Sequence, residues 1–536
     1  MSMSRRTLIR AGLMAGAASV TTAFRPRRTQ GASADERTLK AVMHTTLSVF
    51  DPVWTTANIT LYHAGMIYDN LFSMDANLKP QPQMVGRWSL SNDKKTYTFE
   101  LRDGLGWHDG TPVTAADCVA SIRRFAVAES AGQMMMQYVQ DISRKDDRTF
   151  VIALKEPFGM LIDILGKLIP RSCFIMRKSD AEKPASEQVS ANIGSGPFIF
   201  NQALARPGAR FVYDRNPKYV PRSEPPSGLA GGKVVKVDRV IFETIADQQT
   251  AMAALQAGEI DFYEIPPIDL LAQLEADPKI KIEVLNKQGS ICFLRMNWLH
   301  PPFSEQKARQ ALLYLMDQKA FMAASFGNPK YYGTSASLFA NGNAMSNDEN
   351  TDWFRHGVDL DKARQLLKES GYNGAPVVVL DPTNHPWIHN SALVAAAQLR
   401  KIGVNVQVAA SDWGGLLNRR SNRETVDKGG WDIFITSDSS YSHGDPIACP
   451  TLAANGKDAW FGWPTNDQYE ALRRKWAVVP MLAERQEIAR QMQRLAWDFV
   501  PFVHAGVYFR PVAYRTNVRG FIGVPEIIPF WNVEKA

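Results

Sequence analysis

The chain has 536 residues, of which 45% are hydrophobic, and carries a formal net charge of +7 at pH 7. Six arginines and no acidic residue lie within residues 1–34, so the rest of the chain has a net charge of only +1. A nearly neutral body excludes a function driven by charge alone, such as binding to nucleic acid or to an anionic membrane. A chain of about 500 residues also exceeds one hydrophobic core, which predicts two or three domains.

Residues 1–34 have the pattern of an export signal. Ser4–Ile9 is a twin-arginine motif, and the uncharged stretch Ala11–Phe24 that follows is too short to span a bilayer. Ala32–Ala34 is an A-x-A cleavage site, which predicts a mature start at Asp35 and a periplasmic location. No other apolar run reaches the roughly 18 residues of a transmembrane helix, so we expect no insertion into the membrane.

Patterns typical of strands and helices alternate along the chain, which favours an α/β fold. In the first half the predicted strands are 35–50, 95–102, 148–154, 233–244 and 260–263, and the predicted helices are 58–72, 115–127 and 247–257. Gly258 is expected to end the last of these helices. In the second half the predicted strands are 292–297, 376–380, 404–409 and 431–436, and the predicted helices are 304–325, 361–369, 388–402, 412–420 and 482–499.

Residues 98–125 form the most informative local segment. Phe99 and Leu101 alternate with polar neighbours, as in a half-buried strand, and two Asp-Gly turns follow. Thr114 with Asp117 predicts a helix start with a hydroxyl cap and an acid in the first turn. This segment resembles the strand–turn–helix signature of the large solute-binding proteins of ABC importers, the dipeptide/oligopeptide-binding class.

The resemblance to that class runs from about residue 40 to the end of the chain. Six further segments match the class in its own order, and they are Asp51-Pro52, Ile67–Phe72, Gly194–Phe198, Ala254–Phe262, Asn297–Asp317 and Leu399–Val404. Each segment alone is a weak signal, whereas all of them in order are a strong one. The chain is therefore identified as a member of this class.

The resemblance implies an α/β, two-lobed periplasmic-binding-protein fold of type II, in its large three-domain form, with a hinge and a central ligand cleft. It places lobe I at 35–295, with an inserted subdomain at about 75–190, and lobe II at 296–500. The segment 501–536 returns to lobe I, so the chain should cross the hinge near 290–296 and again near 500.

The sequence offers no enzyme signature. G-x-S-x-G, H-E-x-x-H, P-loop and dinucleotide motifs are all missing. Gly194–Gly196 resembles a phosphate cradle, but Pro197 removes one of the N–H donors that a cradle needs, so we interpret it as a turn. His108-Asp109 is interpreted as a structural pair in a turn. We expect a receptor rather than an enzyme, and an exported hydrolase remains the alternative from another class.

Metal and cofactor binding are not predicted either. None of Cys118, Cys173, Cys292 and Cys449 lies at metal-ligand spacing from another, and no cluster of His, Cys and carboxylate groups is evident for a bare metal ion. An oxidising compartment permits a disulfide, but separation along the chain does not select a pair.

Candidate ligand contacts are the polar and aromatic residues that follow predicted strands, because open α/β sheets bind ligands at the carboxyl ends of their strands. Four loops supply them: Trp54 and Thr55; Asn384, His385 and Trp387; Trp413; and Ser439, Tyr441, Ser442, His443 and Asp445. For each tryptophan the competing interpretation is a packing residue. For His385 and His443 it is a hydrogen-bonded loop residue.

Two departures from the class bear on the ligand. In dipeptide and oligopeptide binders an Asp about four residues before the proline of the last loop pairs with the peptide ammonium, and here that position is Ser442, with Asp438 and Asp445 offset from it. The class also uses an Arg after the 377–380 strand for the peptide carboxylate, and residues 383–386 contain none. Modified or longer peptides, opines and amphipathic solutes stay open.

The hypothesis we favour is a monomeric periplasmic receptor that delivers a peptide or peptide-like solute to an inner-membrane ABC permease with its ATPase subunits. The alternative keeps the same fold for a non-peptide solute such as an opine, a metal chelate or a sugar.

Overall fold

The computed structural model describes residues 37–184, 187–479 and 481–536. The predicted export signal, residues 1–34, and the predicted mature start at Asp35 lie outside these ranges. Within them, no helix combines the length and the apolar character that crossing a bilayer would require.

Two large sheets organise the chain. The first sheet has seven strands in the spatial order Phe198–Phe200, Arg210–Arg215, Arg239–Glu243, Thr38–Val42, Phe262–Tyr263, Pro511–Arg515 and Ile280–Val284. The second sheet has six strands in the order Tyr332–Gly333, Val503–Tyr508, Ser290–Met296, Ile433–Ser439, Val377–Pro382 and Val406–Ser411. Both sheets are mixed, with parallel pairs such as Thr38–Val42 on Arg239–Glu243 and Val377–Pro382 on Val406–Ser411.

A third sheet is antiparallel and has four strands. Along the sequence, these strands come after the first strand of the first sheet and before the other strands of that sheet. Its strands are Val85–Leu90, Thr96–Leu101, Thr149–Leu154 and Val139–Arg144, in that spatial order. Three two-stranded ribbons pair Asp69–Asn70 with Phe174–Ile175, Phe72–Met74 with Pro80–Pro82, and Val518–Arg519 with Glu534–Lys535.

Helices flank the sheets. Those before residue 280 are Asn58–Ile67, Ala115–Ala128, Ser130–Tyr138, Leu161–Gly166, Lys178–Ala181, Gln248–Ala257 and Leu271–Glu275. Those after it are Gln306–Leu315, Gln318–Phe326, Asp352–His356, Leu360–Glu369, Pro386–Lys401, Trp413–Arg419, Asp467–Val478 and Leu482–Phe499.

Several local predictions are confirmed by backbone geometry. Thr114 and Asp117 form a capping box, in which the Thr114 N–H donates to Asp117 Oδ2 at 2.8 Å. Gly258 ends its helix in the left-handed region at φ 81°. Gly194 faces the end of helix Asn58–Ile67 so closely that a Cβ there would lie 1.7 Å from the Ile67 oxygen, so the Gly-Ser-Gly-Pro segment, which bends at 195–197, packs directly on backbone.

Two helix predictions are wrong in extent. The helix predicted at 304–325 is two helices, because Met316 leaves the helical conformation and the Asp317 side chain caps a new helix by accepting from the Ala320 N–H at 3.0 Å. The helix predicted at 58–72 ends at Ile67, where the chain turns into the ribbon strand Asp69–Asn70.

The chain passes between the two large sheets twice. The first crossing is residues 285–289, between Ile280–Val284 of the first sheet and Ser290–Met296 of the second, and the second crossing is residues 509–510. The segments predicted as crossings differ: Ser290–Met296 is hydrogen-bonded on both sides within the second sheet, and the chain after 500 adds Val503–Tyr508 to that sheet before it returns. Pro511–Arg515 then pairs inside the first sheet.

Candidate ligand-binding site

A cavity of about 660 Å³ lies between the two large sheets, beside both crossings. Helix Asn58–Ile67 contributes Tyr62 to its lining, and loops of the first sheet contribute His44 and Glu264. The end of strand Ile433–Ser439 contributes Asp438 and Ser439, the second crossing contributes Arg510, and the C-terminal segment contributes Glu526. The cavity is therefore walled by both lobes and carries charges of both signs.

Arg510 is the cationic group at the second crossing. Its guanidinium donates to the Tyr508 hydroxyl at 2.6 Å, and among the described residues it forms no ion pair. The neighbouring Tyr508 phenol raises the pKa of Arg510, with further support from Glu264 and Tyr62 against the effect of burial. Arg510 thus keeps a full positive charge with hydrogen-bond donors to spare for a ligand.

Glu264 is an acidic group that the protein already satisfies. Its Oε1 accepts from the Tyr62 hydroxyl at 2.7 Å, and its Oε2 accepts from the His44 backbone N–H at 2.7 Å and from His44 Nδ1 at 2.8 Å. Burial alone would raise the pKa of Glu264, but these hydrogen bonds and the charge of His44 together hold it below its usual range. This carboxylate is therefore a fixed negative charge in the cavity wall, and it also acts on Arg510.

Glu526 is an acidic group in which one carboxylate oxygen lacks such support. Its Oε1 is buried and finds no hydrogen-bond partner among the described residues, and its backbone is held in the left-handed region at φ 69°. Burial raises the pKa of Glu526 to about 7, reinforced by Asp438 and opposed by the Ser439 hydroxyl. An unpaired carboxylate oxygen on a strained backbone in a cavity wall marks a position suited to a donor from a ligand.

The predicted loop at Trp54 and Thr55 lies at the rim of the cavity. Trp54 is 37% exposed, and its carbonyl oxygen accepts from Arg171 at 3.3 Å, while Thr56 and Asn58 are the residues of this loop that line the cavity. The Thr55 hydroxyl accepts from the Ala57 N–H at 3.1 Å. The two predicted residues therefore shape the loop whose other residues, Thr56 and Asn58, line the cavity.

The predicted residues of the 384–387 and 413 loops are brought together outside the cavity lining. Asn384 Oδ1 accepts from the Trp413 N–H at 2.8 Å, and the His385 ring lies 5.2 Å from that of Trp413 and 5.9 Å from that of Trp387. The Trp387 ring in turn lies 5.6 Å from Tyr508. Burial lowers the pKa of His385, and Arg510 adds to the shift. This aromatic group supports Tyr508, the hydrogen-bond partner of Arg510.

Some residues of the predicted loop 439–445 line the cavity, and others lie against the opposite lobe. Ser439 and Ser442 line the cavity. Tyr441 is partly buried and lines a second, small cavity together with Leu168 and Val524 of the opposite lobe. Asp445 Oδ2 accepts from Lys167 Nζ at 2.8 Å, so this ion pair also spans the lobes. His443 is fully buried behind the cavity.

A polar cluster that was not predicted from the sequence lies behind the cavity wall. Asp438, His443 and Cys449 place their ligand atoms within 4.8 Å of one another. The expectation that the chain holds no cluster of His, Cys and carboxylate groups is therefore wrong, because short turns at Ser442–Gly444 and Pro450–Leu452 fold the loop back on itself. All four cysteines are buried free thiols in the structure.

Arg510, Glu264 and Glu526 are the functional candidates that sequence reasoning did not select. Arg510 had a usable signal, since it directly follows strand Val503–Tyr508, but the end of that strand was not placed. Glu526 belongs to a segment without periodicity, and no local pattern indicates it.

Two α/β lobes connected by two crossings and enclosing a cavity with both charges define a receptor that encloses a small solute. The chain belongs to the bacterial extracellular solute-binding proteins, family 5, whose middle region matches residues 79–459. This confirms the family resemblance seen in the sequence.

Relatives and solved structures agree. The chain is 56% identical over 540 residues, covering all of both chains, to a Sinorhizobium fredii protein named probable peptide ABC transporter periplasmic-binding protein y4tO. It is 26% identical over 504 residues, 90% of each chain, to the glutathione-binding protein GsiB of Escherichia coli K12. The substrate-binding protein CtaP of Listeria monocytogenes has a TM-score of 0.78 at 23% identity, over 93% of this chain and 99% of that structure. DppA of Helicobacter pylori with a bound peptide has a TM-score of 0.74 at 21% identity, over 94% and 99%. These likenesses confirm the two-lobed α/β fold.

Proposed function

We propose that the protein is the periplasmic receptor of an ABC importer and captures a peptide or peptide-like solute that carries both a carboxylate and an ammonium group. It is exported through its twin-arginine signal, works as a monomer without turning its ligand over, and delivers the solute to an inner-membrane permease with ATPase subunits. Lobe I comprises the chain before the first crossing and after the second, and lobe II the chain between them.

The arrangement of charge in the cavity carries this proposal. Arg510 offers donors without an ion pair among the described residues, and Glu526 Oε1 is an acceptor without a donor there. A zwitterionic peptide brings a carboxylate to Arg510 and a donor to Glu526 Oε1 at once, whereas a neutral sugar brings a counter-charge to neither group. The cavity volume of about 660 Å³ also lies within the range of small-ligand sites. The peptide ABC transporter name of the Sinorhizobium fredii relative points to the same class of solute.

Capture works by closing the two lobes about the crossings. A ligand that contacts Asp438 and Ser439 on one lobe and Glu526 on the other binds the closed state better than the open state, and this difference shifts the equilibrium. Closure removes water from the cavity and strengthens each polar contact. The permease then recognises the closed surface.

Native mass spectrometry of protein purified from periplasm tests the proposal. We expect a co-purified mass that mild denaturation releases intact, with the composition of a short or modified peptide. Small-angle scattering should show a smaller radius of gyration with that ligand than without it. Release of a sugar, or of a ligand altered by incubation, would overturn the proposal.

Ligand affinity should depend on pH through Glu526. Its pKa of about 7 in the ligand-free protein lies above the ordinary value, so the proton is retained below that pH and must leave before the carboxylate can pair with an ammonium group. We expect the affinity for an ammonium-bearing peptide to rise about tenfold from pH 5.5 to pH 8, with release of a proton on binding. Isothermal titration in two buffers of different ionisation enthalpy measures both effects.

The matched control for this pH dependence is Glu264, whose pKa is held below its usual range. Glu526→Gln should flatten the rise with pH, whereas Glu264→Gln should keep its slope, although it weakens binding overall. An unchanged slope in Glu526→Gln would contradict the assignment.

A further inference from the structure

Behind the second-lobe wall of the cavity, four side chains direct ligand-type atoms at one point. These residues are Asp438, His443, Cys449 and Thr451, and we refer to them as the Asp438 cluster. Asp438 Oδ2 lies 3.4 Å from Cys449 Sγ, 3.3 Å from Thr451 Oγ1 and 3.7 Å from His443 Nε2. Thr451 Oγ1 lies 3.0 Å from Cys449 Sγ and 3.3 Å from His443 Nε2.

Five of the six edges of the tetrahedron formed by these oxygen, nitrogen and sulfur atoms are 3.0–3.7 Å long. The remaining edge, between the sulfur and the imidazole nitrogen, is no longer than 4.8 Å. A regular tetrahedron with edges of about 3.5 Å has its centre about 2.1 Å from each corner, close to the roughly 2.0–2.3 Å that Zn²⁺ keeps from its N, O and S ligands. The corners thus have the right spacing for a zinc ion without a large rearrangement.

The outer contacts of the cluster orient the ligand atoms inward. His443 Nδ1 lies 3.2 Å from the Leu338 carbonyl oxygen, so Nδ1 carries the proton and Nε2 turns a free lone pair to the centre. Asp438 Oδ1 accepts from the Ser439 N–H at 2.8 Å, which leaves Oδ2 for the centre. A carbonyl behind the imidazole and an N–H behind the carboxylate are the supports that metal ligands have in proteins.

We propose that the Asp438 cluster binds one Zn²⁺ ion through Asp438 Oδ2, His443 Nε2 and Cys449 Sγ, with the Thr451 hydroxyl oxygen at the fourth corner. Binding converts the Cys449 thiol to a thiolate and releases its proton to solvent, so two negative ligands balance the charge of the ion. The mixed set of thiolate, imidazole and carboxylate suits Zn²⁺ better than Mg²⁺ or Ca²⁺, which take oxygen ligands.

The side chains of the cluster also satisfy one another without the ion. Without it, the thiol of Cys449 and the hydroxyl of Thr451 supply two donors, and Asp438 Oδ2 and His443 Nε2 supply two acceptors, so the cluster is satisfied. The site is therefore a second binding function and not a structural zinc that the fold depends on.

The ion and the solute would share one residue. The Asp438 side chain is 27% exposed and lines the cavity, whereas His443 is fully buried. Zinc would enter from the cavity and neutralise Asp438. The Asp438 carboxylate could then no longer attract the ammonium group of a ligand. The two ligands should therefore weaken each other, by the same factor in both directions.

Titration of the full mature protein with Zn²⁺, in competition with a chromophoric chelator, tests the site. We expect one ion and about one released proton per chain. Co²⁺ in place of Zn²⁺ should give a thiolate-to-cobalt charge-transfer band. Cys449→Ser should remove that band and weaken Zn²⁺ at least about tenfold, while the matched control Cys173→Ser, a buried free cysteine in the other lobe, should leave both unchanged.

Asp438→Asn provides a second variant that keeps the shape of the partly exposed carboxylate, and it should also weaken Zn²⁺. The proposal would be overturned if the wild-type protein bound no Zn²⁺, if the cobalt complex lacked the thiolate band, or if Asp438→Asn bound Zn²⁺ as the wild type does. None of these results depends on which solute the cavity takes.

Discussion

Arg510→Ala is expected to weaken the binding of a peptide with a free carboxylate at least about 100-fold. Arg510 lines the cavity with hydrogen-bond donors available and forms no ion pair among the described residues. Truncating one partner of a desolvated ion pair costs about 2–5 kcal/mol, because the other charge stays behind without compensation. Isothermal titration with the co-purified ligand, or with a synthetic peptide of the same composition, measures the loss.

The same peptide with an amidated C-terminus separates this role from a structural one. In the wild type the amide should bind much more weakly than the acid, and in Arg510→Ala the two should bind alike. Arg510→Lys keeps the charge without the planar fork and should lose about tenfold. If Arg510→Ala weakened acid and amide by the same factor, the residue would act on the fold of the wall and not on the carboxylate.

Asp51→Ala is expected to destabilise the first lobe by about 3–5 kcal/mol. The Asp51 carboxylate is fully buried and accepts from Arg124 at 2.7 Å and from the N–H groups of Val53 and Val189, both at 2.9 Å. Removing it leaves a buried guanidinium without its counter-charge and two N–H groups without acceptors. Denaturant unfolding of the mature protein, followed by fluorescence, measures the change.

The matched control is Asp361→Ala, which removes another Asp–Arg pair with the same separation of 2.7 Å, to Arg364. The Asp361 side chain is 95% exposed, so this pair should contribute less than about 1 kcal/mol. Equal effects of the two substitutions would show that burial does not determine the strength of the Asp51 pair.

Local features of the fold were readable from the sequence because their causes are local. The capping box at Thr114 and the left-handed Gly258 depend on residues within one helical turn, and both are as expected. The break before Asp317 was missed because apolar residues on both sides keep helical spacing across it, and the capping carboxylate decides the outcome.

The candidate site was less predictable because its residues meet only through tertiary structure. Ser439 and Ser442 were found because they follow a strand of the second sheet. Arg510 depends on where the chain changes sheets, which is decided by pairing between strands more than 200 residues apart, such as Glu283 with Val512. The aromatic residues His385 and Trp387 were selected as ligand contacts, and they pack behind the wall that carries Arg510.

Because of the location of Arg510, a ligand can bind to this residue without driving the closure of the lobes that transport requires. The two crossings lie side by side, since a Cβ on Gly289 would be 2.5 Å from the Tyr508 oxygen, so Arg510 lies near the axis of any rotation between the lobes. A group on the axis keeps nearly the same distance to its ligand throughout the motion, and a contact of equal strength in both states moves no equilibrium. A small carboxylate that contacts only Arg510 would accordingly bind the receptor and leave its lobes open. Such a ligand would inhibit uptake of the solute and would not itself be transported.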